Sequence, residues 1–401
     1  MPPFRLSRPQ LIADLHAAFA LAARHKKKTA SIVDFAAHLD QNLESLANEL
    51  LERAYRPRPS TCFIITDPKK REVFAADFAD RVVHHLYFAY AAPIFERTFI
   101  ADSYSCIAGR GTHYGIDRLA AHIRSESLNH SRPAYALKLD IRGYFMHIRR
   151  QLLADMAVRT LRRMADHRVC RHLATTWAEC VDVDFLVYLS RAIILADPAE
   201  ACIRRGRPSD WEGLPASKSL FHSPAGCGLP IGNLTSQLFS NVYLGRFDDF
   251  MKREMGCRHY GRYVDDAYVI SHDRRWLADL IPTVREWLAC NLGLELHEGK
   301  TRIEPVRQGV EFLGAFVKPG RTYVADGSLR RMTRRLVAIN EEALRTGVTA
   351  TDLRSTLSSY GGVLGHYASF NIRSALFASL PELWAQGSFD ARMLKWSPTG
   401  E

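Results

Sequence analysis

Three aspartates lie where the sequence predicts the ends of buried strands. Asp140 closes the largely apolar run 134–139, and Asp265 with Asp266 stands between two apolar segments, at the expected tip of a short hairpin. Neighbouring carboxylates repel each other unless a cation neutralises them. Donors made of oxygen alone suit Mg²⁺ or Mn²⁺ rather than zinc, and two such ions can support an in-line displacement at phosphorus. An Asp-Asp pair taken alone is also typical of an exposed turn.

Hydrophobic periodicity indicates which elements must position these acids. Strands are predicted over 134–140 and on both sides of 263–266, and a sheet that pairs them would bring the acids together. A hairpin with a cationic turn is predicted between 61 and 75. Helical patterns cover the rest of the predicted elements, at 11–50, 76–129, from 141 to about 197, from about 233, and beyond 320.

Composition limits the function classes. The chain has 401 residues, enough for two or three domains, and a formal net charge of +11 that favours a polyanionic partner such as nucleic acid. The same charge is also compatible with simple solubility. No apolar window is long enough for a transmembrane helix, no signal-peptide pattern is present, and the eight cysteines form no CxxC pair. We therefore expect a cytoplasmic protein with reduced thiols and no membrane partner.

Several motifs in a fixed order resemble the reverse transcriptases. Tyr263-Val264-Asp265-Asp266 on a hairpin follows a strand that ends in Asp140 and the run 141–145, Ile-Arg-Gly-Tyr-Phe. The remaining matches are Lys69-Lys70-Arg71, Asp80-Arg81, Gly228-Leu-Pro-Ile-Gly-Asn-Leu-Thr-Ser-Gln237, Gly299-Lys300-Thr301 and Phe312-Leu313-Gly314. Together they cover roughly residues 60 to 320, and the ordered set is far more specific than any one motif.

The resemblance implies an α+β fold of the right-hand polymerase type, with fingers, palm and thumb and a mostly antiparallel palm sheet. The implied domains are a helical N-terminal extension at 1–58, interleaved fingers and palm at 59–320, and a helical thumb at 321–401. The segment from about 180 to 228 is longer than the minimal core needs. The sequence leaves open whether it inserts into the fingers or forms a partner surface.

The resemblance also assigns the reacting groups. Asp140 and Asp265 would hold two Mg²⁺ or Mn²⁺ ions, Asp266 would complete the acidic cluster, and the Ile141 carbonyl would be a further ligand. Lys300 resembles the proton donor to departing pyrophosphate, a role that needs a cation able to lose a proton. A structural salt bridge is the alternative for Lys300.

Six residues are assigned to the deoxynucleoside triphosphate. Arg would give the triphosphate a planar fork of donors and Lys a point charge, and a bulky ring under the sugar would exclude a 2′ hydroxyl. An aliphatic residue beside the nascent base pair offers no hydrogen bond, which predicts poor fidelity. The residues are Lys69, Arg71, Phe145 as the ring, Ile231 as the aliphatic residue, Gly232 and Gln237. Without the resemblance, the Lys and Arg are ordinary turn residues and the ring is ordinary core.

The expected macromolecular partners are a template RNA and the cDNA made on it, as an RNA/DNA hybrid. The thumb would contact the hybrid through basic residues, with Arg330, Arg331, Arg334 and Arg335 spaced as two pairs along one helix. Such a run is equally typical of a solvated helix face. The predicted primer and template contacts are Tyr263, Phe312, Leu313, Gly314, Arg330 and Arg334.

Within the family, the motif that ends at Gln237 looks most like the enzymes of diversity-generating retroelements. Ile231 stands where group II intron and viral enzymes usually carry Gln. Those retroelement enzymes copy a template RNA of their own cassette, misincorporate opposite adenine, and act with a small basic accessory protein. The alternatives are a bacterial defence reverse transcriptase of the abortive-infection kind and, from another class, a non-catalytic RNA-binding scaffold.

Overall fold

The computed structural model describes residues 5–24, 29–67, 69–170, 172–346, 350–392 and 394–398. Its helices are α1 (Arg8–Ala22), α2 (Ala30–Ala37), α3 (Leu39–Leu51), α4 (Phe78–Glu96), α5 (Thr112–Glu126), α6 (Tyr144–His147), α7 (Arg150–Met164), α8 (Val183–Leu195), α9 (Leu234–Asp249), α10 (Arg274–Leu292), α11 (Asp326–Thr346), α12 (Ala350–Gly365), α13 (Phe370–Ala378) and α14 (Pro381–Gln386). Its strands are β1 (Thr61–Ile65), β2 (Arg71–Ala75), β3 (Tyr135–Asp140), β4 (Ile203–Arg204), β5 (Tyr260–Tyr263), β6 (Asp266–Ser271), β7 (Arg302–Pro305), β8 (Val310–Phe312), β9 (Ala315–Lys318), β10 (Arg321–Val324), β11 (Gly387–Phe389) and β12 (Trp396–Pro398). This mixture of helices with mainly antiparallel sheets confirms the predicted α+β class.

The N-terminal helices pack onto the long helix α4. Ser7 caps α1 because its side chain accepts a hydrogen bond from the Gln10 N–H, which is one of the unpaired donors at a helix start. The apolar positions of α1 and α3 recur with helical spacing, so each helix buries one face in the main core. Those buried positions include Leu11, Leu15, Leu43, Leu46 and Leu50. The predicted helical extension therefore joins the same core as the central helices α4, α7 and α9.

The palm sheet has the strand order β5-β6-β3-β7, and every neighbouring pair is antiparallel. Alternate residues of a strand point to opposite faces, and both faces of this sheet are covered. Leu137 and Leu139 of β3 belong to the main core with Val269 of β6, while Ala136 packs with Tyr268 in a second core. Burial on both faces explains why β3 and β6 have nearly continuous apolar sequences.

The fingers sheet consists of the predicted β1–β2 hairpin and a third strand from the segment that the sequence left open. Strand β4 pairs parallel to β1, with Ile203 opposite Thr61. The buried Glu72 of β2 fixes the segment that follows β4: its carboxylate accepts hydrogen bonds from Trp211 Nε1 at 2.8 Å and the Leu220 N–H at 2.7 Å. This part of the long segment is therefore joined to the β1–β2 hairpin through β4 and Glu72.

A separate sheet, in the order β10-β9-β8, leads into the C-terminal helices. The helical pattern predicted from 321 is wrong at its start, because 321–324 form strand β10 beside β9. The later strands β11 and β12 also interrupt the helices and pair with each other. Helices α11–α13 and strand β12 share their own apolar core around Leu336, Phe377 and Trp396. In the described part of the chain, no helix combines the length and the apolar character needed to cross a bilayer.

Candidate active site

The palm sheet brings the three predicted acids to one edge. Asp140 is the last residue of β3, and the strand register places it directly opposite Asp266, the first residue of β6. Strands β5 and β6 are joined by a loop of two residues, Val264 and Asp265, because Tyr263 pairs with Asp266. The acidic cluster, defined as Asp140, Asp265 and Asp266, is thus assembled from two separate parts of the chain.

Burial and repulsion between neighbouring carboxylates make ionisation of Asp265 and Asp266 costly. The pKa of Asp265 rises from 3.8 to about 6, chiefly because burial removes water, with the charge of Asp140 adding to the rise. The pKa of Asp266 also rises to about 6, again chiefly by burial; Lys138 opposes that rise, and the other two aspartates support it. Carboxylates in this position are stabilised by a neighbouring cation.

Lys300 supplies one such cation. Its Nζ lies 2.9 and 3.0 Å from the two carboxylate oxygens of Asp140, and the Lys300 side chain is 55% exposed. This contact is the structural salt bridge that is the alternative role for Lys300, and proton donation by Lys300 stays a prediction. Lys300 reaches Asp140 from the turn Glu298–Lys300, which β3 holds in place through the hydrogen bond from the His297 N–H to the Asp140 carbonyl, 2.8 Å long.

The donor chemistry of the cluster fits the expected metal. Carboxylate oxygens are ligands that Mg²⁺ and Mn²⁺ prefer, and a backbone carbonyl such as the one predicted at Ile141 is of the same kind, with no histidine or thiolate in the predicted set. Within the described ranges, no three acidic, histidine or cysteine side chains already close around a common point. Asp140 is instead paired with Lys300, so a bound ion would compete with that pair.

The cationic fingers hairpin faces the cluster. Arg71 lies close enough for its charge to lower the pKa of Asp265, against the larger effect of burial. Lys69 is exposed in the turn before β2. Strand β2 is also bound to the predicted nucleotide motif, since the Phe74 N–H donates to the Ile231 carbonyl at 3.0 Å. The hairpin and the motif therefore form one unit beside the acids.

Phe145 and Ile231, which come from distant parts of the sequence, pack against the same small apolar cluster around Phe74. The Leu229 N–H donates to the Phe145 carbonyl at 2.8 Å, so the two segments are also joined through the backbone. At Gly232 the backbone has φ +120°, and a Cβ would lie 2.9 Å from the Val73 side chain. Glycine is required there because the loop crosses strand β2 closely.

The structure separates the predicted primer and template residues into two groups. Tyr263 is half-buried against the second core. Phe312 is 1% exposed and its ring packs 5.1 Å from that of Tyr268, so its side chain is part of the core. Leu313 and Gly314 form the tip of the β8–β9 hairpin, both with positive φ, and Leu313, like Tyr263, is half-buried against the second core.

Three further predicted contacts lie elsewhere. Arg330 and Arg334 are exposed on α11, together with Arg331 and Arg335. Gln237 is exposed on α9, where its side-chain oxygen accepts from Cys106 Sγ at 2.7 Å. These placements are compatible with the predicted roles, which stay predictions.

Comparisons with known proteins identify the family. Residues 78–317 match the reverse transcriptase family, described as RNA-dependent DNA polymerase. This chain belongs to the reverse transcriptase family. Protein YkfC of Escherichia coli strain K12 is 25% identical over 313 residues, which make up 69% of this chain and 71% of that relative. Family membership confirms the predicted family and the enzyme class, RNA-directed DNA polymerase.

Solved telomerase structures are also similar. Telomerase from Candida albicans, in complex with a fragment of telomeric RNA, has a TM-score of 0.45 and 10% identity, covering 83% of this chain and 58% of that one. Apo telomerase from Candida tropicalis has a TM-score of 0.46 and 10% identity, covering 82% and 59%. This chain therefore spans a little under three fifths of the length of the telomerase chains that it matches.

Two positions near the site were not predicted from the sequence. Glu72 anchors the segment after β4, and the one local hint that it faces inward is the alternation of β2, which puts it on the same face as Phe74. Arg262 forms a buried ion pair with Asp248 next to the Val264–Asp265 loop. A basic residue in a strand usually faces solvent, so the sequence contained no sign of this pair.

Proposed function

We propose that this reverse transcriptase extends a primer with deoxynucleotides on an RNA template through the acidic cluster. The observation that carries the proposal is the register of the palm sheet, which sets Asp140 opposite Asp266 with Asp265 in the adjoining loop. Asp140 and Asp265 would hold two Mg²⁺ or Mn²⁺ ions, assisted by Asp266 and the Ile141 carbonyl. When bound, the ions activate the primer hydroxyl and stabilise the departing pyrophosphate.

The chain's own residues would bind and orient the substrates. Arg71 and Lys69 would contact the triphosphate from the hairpin tip, where both are exposed. Phe145 would lie under the sugar and select deoxyribose. The exposed arginines of α11 and the Leu313–Gly314 tip would contact the RNA/DNA hybrid.

Primer extension on a defined RNA template with Mg²⁺ tests this function. Asp140→Asn keeps the size of the side chain and removes a ligand charge, so we expect extension to fall by about a hundredfold or more. Asp34→Asn is the matched control, because Asp34 is exposed on α2 in the N-terminal extension. Equal activity of the two variants, or an inactive wild type, would contradict the proposal.

We further propose that synthesis is error-prone at template adenines, as in diversity-generating retroelements. The support is Ile231, a half-buried aliphatic residue that packs against the same apolar cluster as Phe145 and whose carbonyl accepts a hydrogen bond from strand β2. A hydrogen bond at this position contributes on the order of 1 kcal/mol, roughly five- to tenfold in discrimination. Ile231→Gln is expected to lower misincorporation opposite adenine by that factor, and an unchanged error rate would remove the idea.

The biological setting is a separate part of the proposal. A retroelement enzyme would carry its cassette RNA and bind a small basic accessory protein, whereas a defence reverse transcriptase would carry a dedicated noncoding RNA or make DNA without a template. Sequencing the RNA and DNA that copurify with the protein distinguishes these cases. All eight cysteines are free thiols, which supports the proposal of a cytoplasmic location.

A further inference from the structure

Arg262, on strand β5, is a buried cation beside the acidic loop. Its side chain is 1% exposed and forms a two-pronged ion pair with Asp248 at the end of α9. Nε lies 2.7 Å from one carboxylate oxygen of Asp248 and Nη2 lies 2.6 Å from the other. A pair of this geometry satisfies both charges, but burying an ion pair is weak support for stability, because apolar residues of similar size often serve equally well.

The same guanidinium has a further contact that points to a purpose. Arg262 Nη1 donates to the backbone carbonyl of Val264 at 2.8 Å. Val264 has φ +56°, a left-handed conformation that a β-branched residue rarely adopts and that persists only when its surroundings enforce it. Val264 is the first residue of the two-residue loop, and Asp265 is the second.

Helix α9 connects the Arg262–Asp248 pair to the predicted nucleotide motif that ends at Gln237. Asn241 of α9 accepts a second bond from Arg262 Nη1, at 3.2 Å, and its own amide donates to the Ser105 carbonyl at 2.7 Å. The helix begins directly after Asn233 of the motif and ends at Asp249, next to Asp248. One rigid helix thus carries both the Arg262 partners and the predicted nucleotide residue Gln237.

We propose that Arg262, held by Asp248, is a positioning residue for the acidic cluster: it binds the Val264 carbonyl and keeps the loop in the conformation that presents Asp265 beside Asp140 and Asp266. The inference rests on the proposed function of that cluster. In this role Arg262 contacts neither the substrate nor the metal ions. Its effect passes through the shape of the loop.

The double variant Arg262→Met with Asp248→Asn isolates this role. Both charges are removed together, so no unpaired buried charge remains and folding stability changes little. In the wild type, Tyr260 Oη donates a hydrogen bond to Asp248 at 2.7 Å. The side-chain oxygen of Asn at position 248 can still accept this bond. The matched control is Arg150→Met with Asp197→Asn, because Arg150 is also buried and its Nη2 lies 2.7 Å from Asp197.

Three measurements report on the conformation of the Val264–Asp265 loop, and only one of them depends on enzyme activity. In metal-free protein, hydrogen exchange of peptides covering residues 260–268 should become about tenfold faster, as expected when one buried hydrogen bond is lost. Binding of Mn²⁺, measured by the loss of its free paramagnetic resonance signal, should weaken several-fold. The Mg²⁺ concentration for half-maximal primer extension should rise, while the KM for the primer-template hybrid stays unchanged.

The outcomes separate the two proposals. If the wild type fails to extend primers, the proposed function fails, and the exchange measurement still decides whether Arg262 orders the loop. If the wild type is active and the double variant matches it in exchange, Mn²⁺ binding and Mg²⁺ requirement, the positioning role is wrong. The same conclusion follows if the Arg150 control changes equally.

A second variant covers the case in which the double variant does not fold. Arg262→Lys keeps a positive charge beside Asp248 but lacks the planar fork that reaches Asp248 and Val264 together. We expect smaller changes in the same three readouts. No change in any of them would overturn the inference.

Discussion

Asp265→Asn is predicted to stabilise the metal-free protein while it abolishes polymerisation. The reason is that Asp265 is a half-buried carboxylate among like charges, with a pKa raised from 3.8 to about 6, chiefly by loss of water around the carboxylate. Above pH 6 the folded protein must keep this group ionised, whereas the unfolded chain ionises it at no cost. Asparagine has nearly the same shape and no charge, so it relieves the repulsion.

The size of the effect follows from the pKa. One pKa unit corresponds to about 1.4 kcal/mol, so a rise from 3.8 to about 6 makes ionisation cost roughly 3 kcal/mol in the folded state at neutral pH. Asparagine also loses part of the charge-assisted bond to the residue's own backbone N–H. We therefore expect the free energy of unfolding to rise by roughly 1 to 3 kcal/mol.

Urea unfolding at pH 8 with a chelator measures this change, with Asp34→Asn as the control. A second arm adds Mn²⁺, which should stabilise the wild type by mass action and stabilise the Asp265 variant much less. Primer extension by the variant should fall to background.

One result would refute the reasoning about charge repulsion: an Asp265 variant that is less stable than the wild type in the chelator. An equal gain in stability from Mn²⁺ in both proteins would instead show that Asp265 does not hold the ion.

The remaining predictions concern the surroundings of the site. Lys300→Met frees Asp140 from an ion pair that is half exposed and worth about 0.5 to 1 kcal/mol, so Mn²⁺ affinity in a calorimetric titration should tighten by roughly two- to fivefold; equal affinities would contradict this. Burial lowers the pKa of His84 from 6.5 to about 4, so below pH 6.5 the unfolded chain binds a proton there that the folded protein does not, and the folded protein loses stability as the pH falls. The unfolding free energy of the wild type relative to His84→Gln should then drop by about 2 kcal/mol from pH 7.5 to pH 5, and a constant difference would argue against it. Arg330→Gln should reduce by about one the slope of log binding constant against log salt for an RNA/DNA hybrid, whereas Arg285→Gln should not; equal slopes would remove the contact.

Local patterns predicted most of the elements that carry the site. The hairpin of β1 and β2, the strand that ends at Asp140 and the helix that begins after Asn233 all have clear periodicity and turn residues, and the structure contains each of them. The order of the motifs then identified the family, which the comparison over residues 78–317 confirms. Such features depend on residues near one another in sequence, so they are accessible without a structure.

Other features depend on residues far apart. Glu72 faces inward because three donors from residues 211–220 surround it, and nothing near Glu72 in the sequence announces them. The sequence pattern beyond 320 predicts helix, but residues 321–324 form strand β10. They do so through pairing with β9, which no local pattern indicates. The sequence is compatible with two roles for Lys300, since the distance between Lys300 and Asp140 depends on how the turn after α10 lies on β3.

The sequence by itself determined the residue types, the positions of the motifs and the strand and helix periodicity, and these were enough to predict three acids at the ends of strands. Tertiary structure alone decided that Asp140 stands opposite Asp266, and that Arg262 is held by Asp248 against the Val264 carbonyl. The physical reason is that strand register and buried ion pairs arise from packing both faces of a sheet at once. A shift of one residue would turn every side chain to the other face, and no local pattern records which partner prevents it.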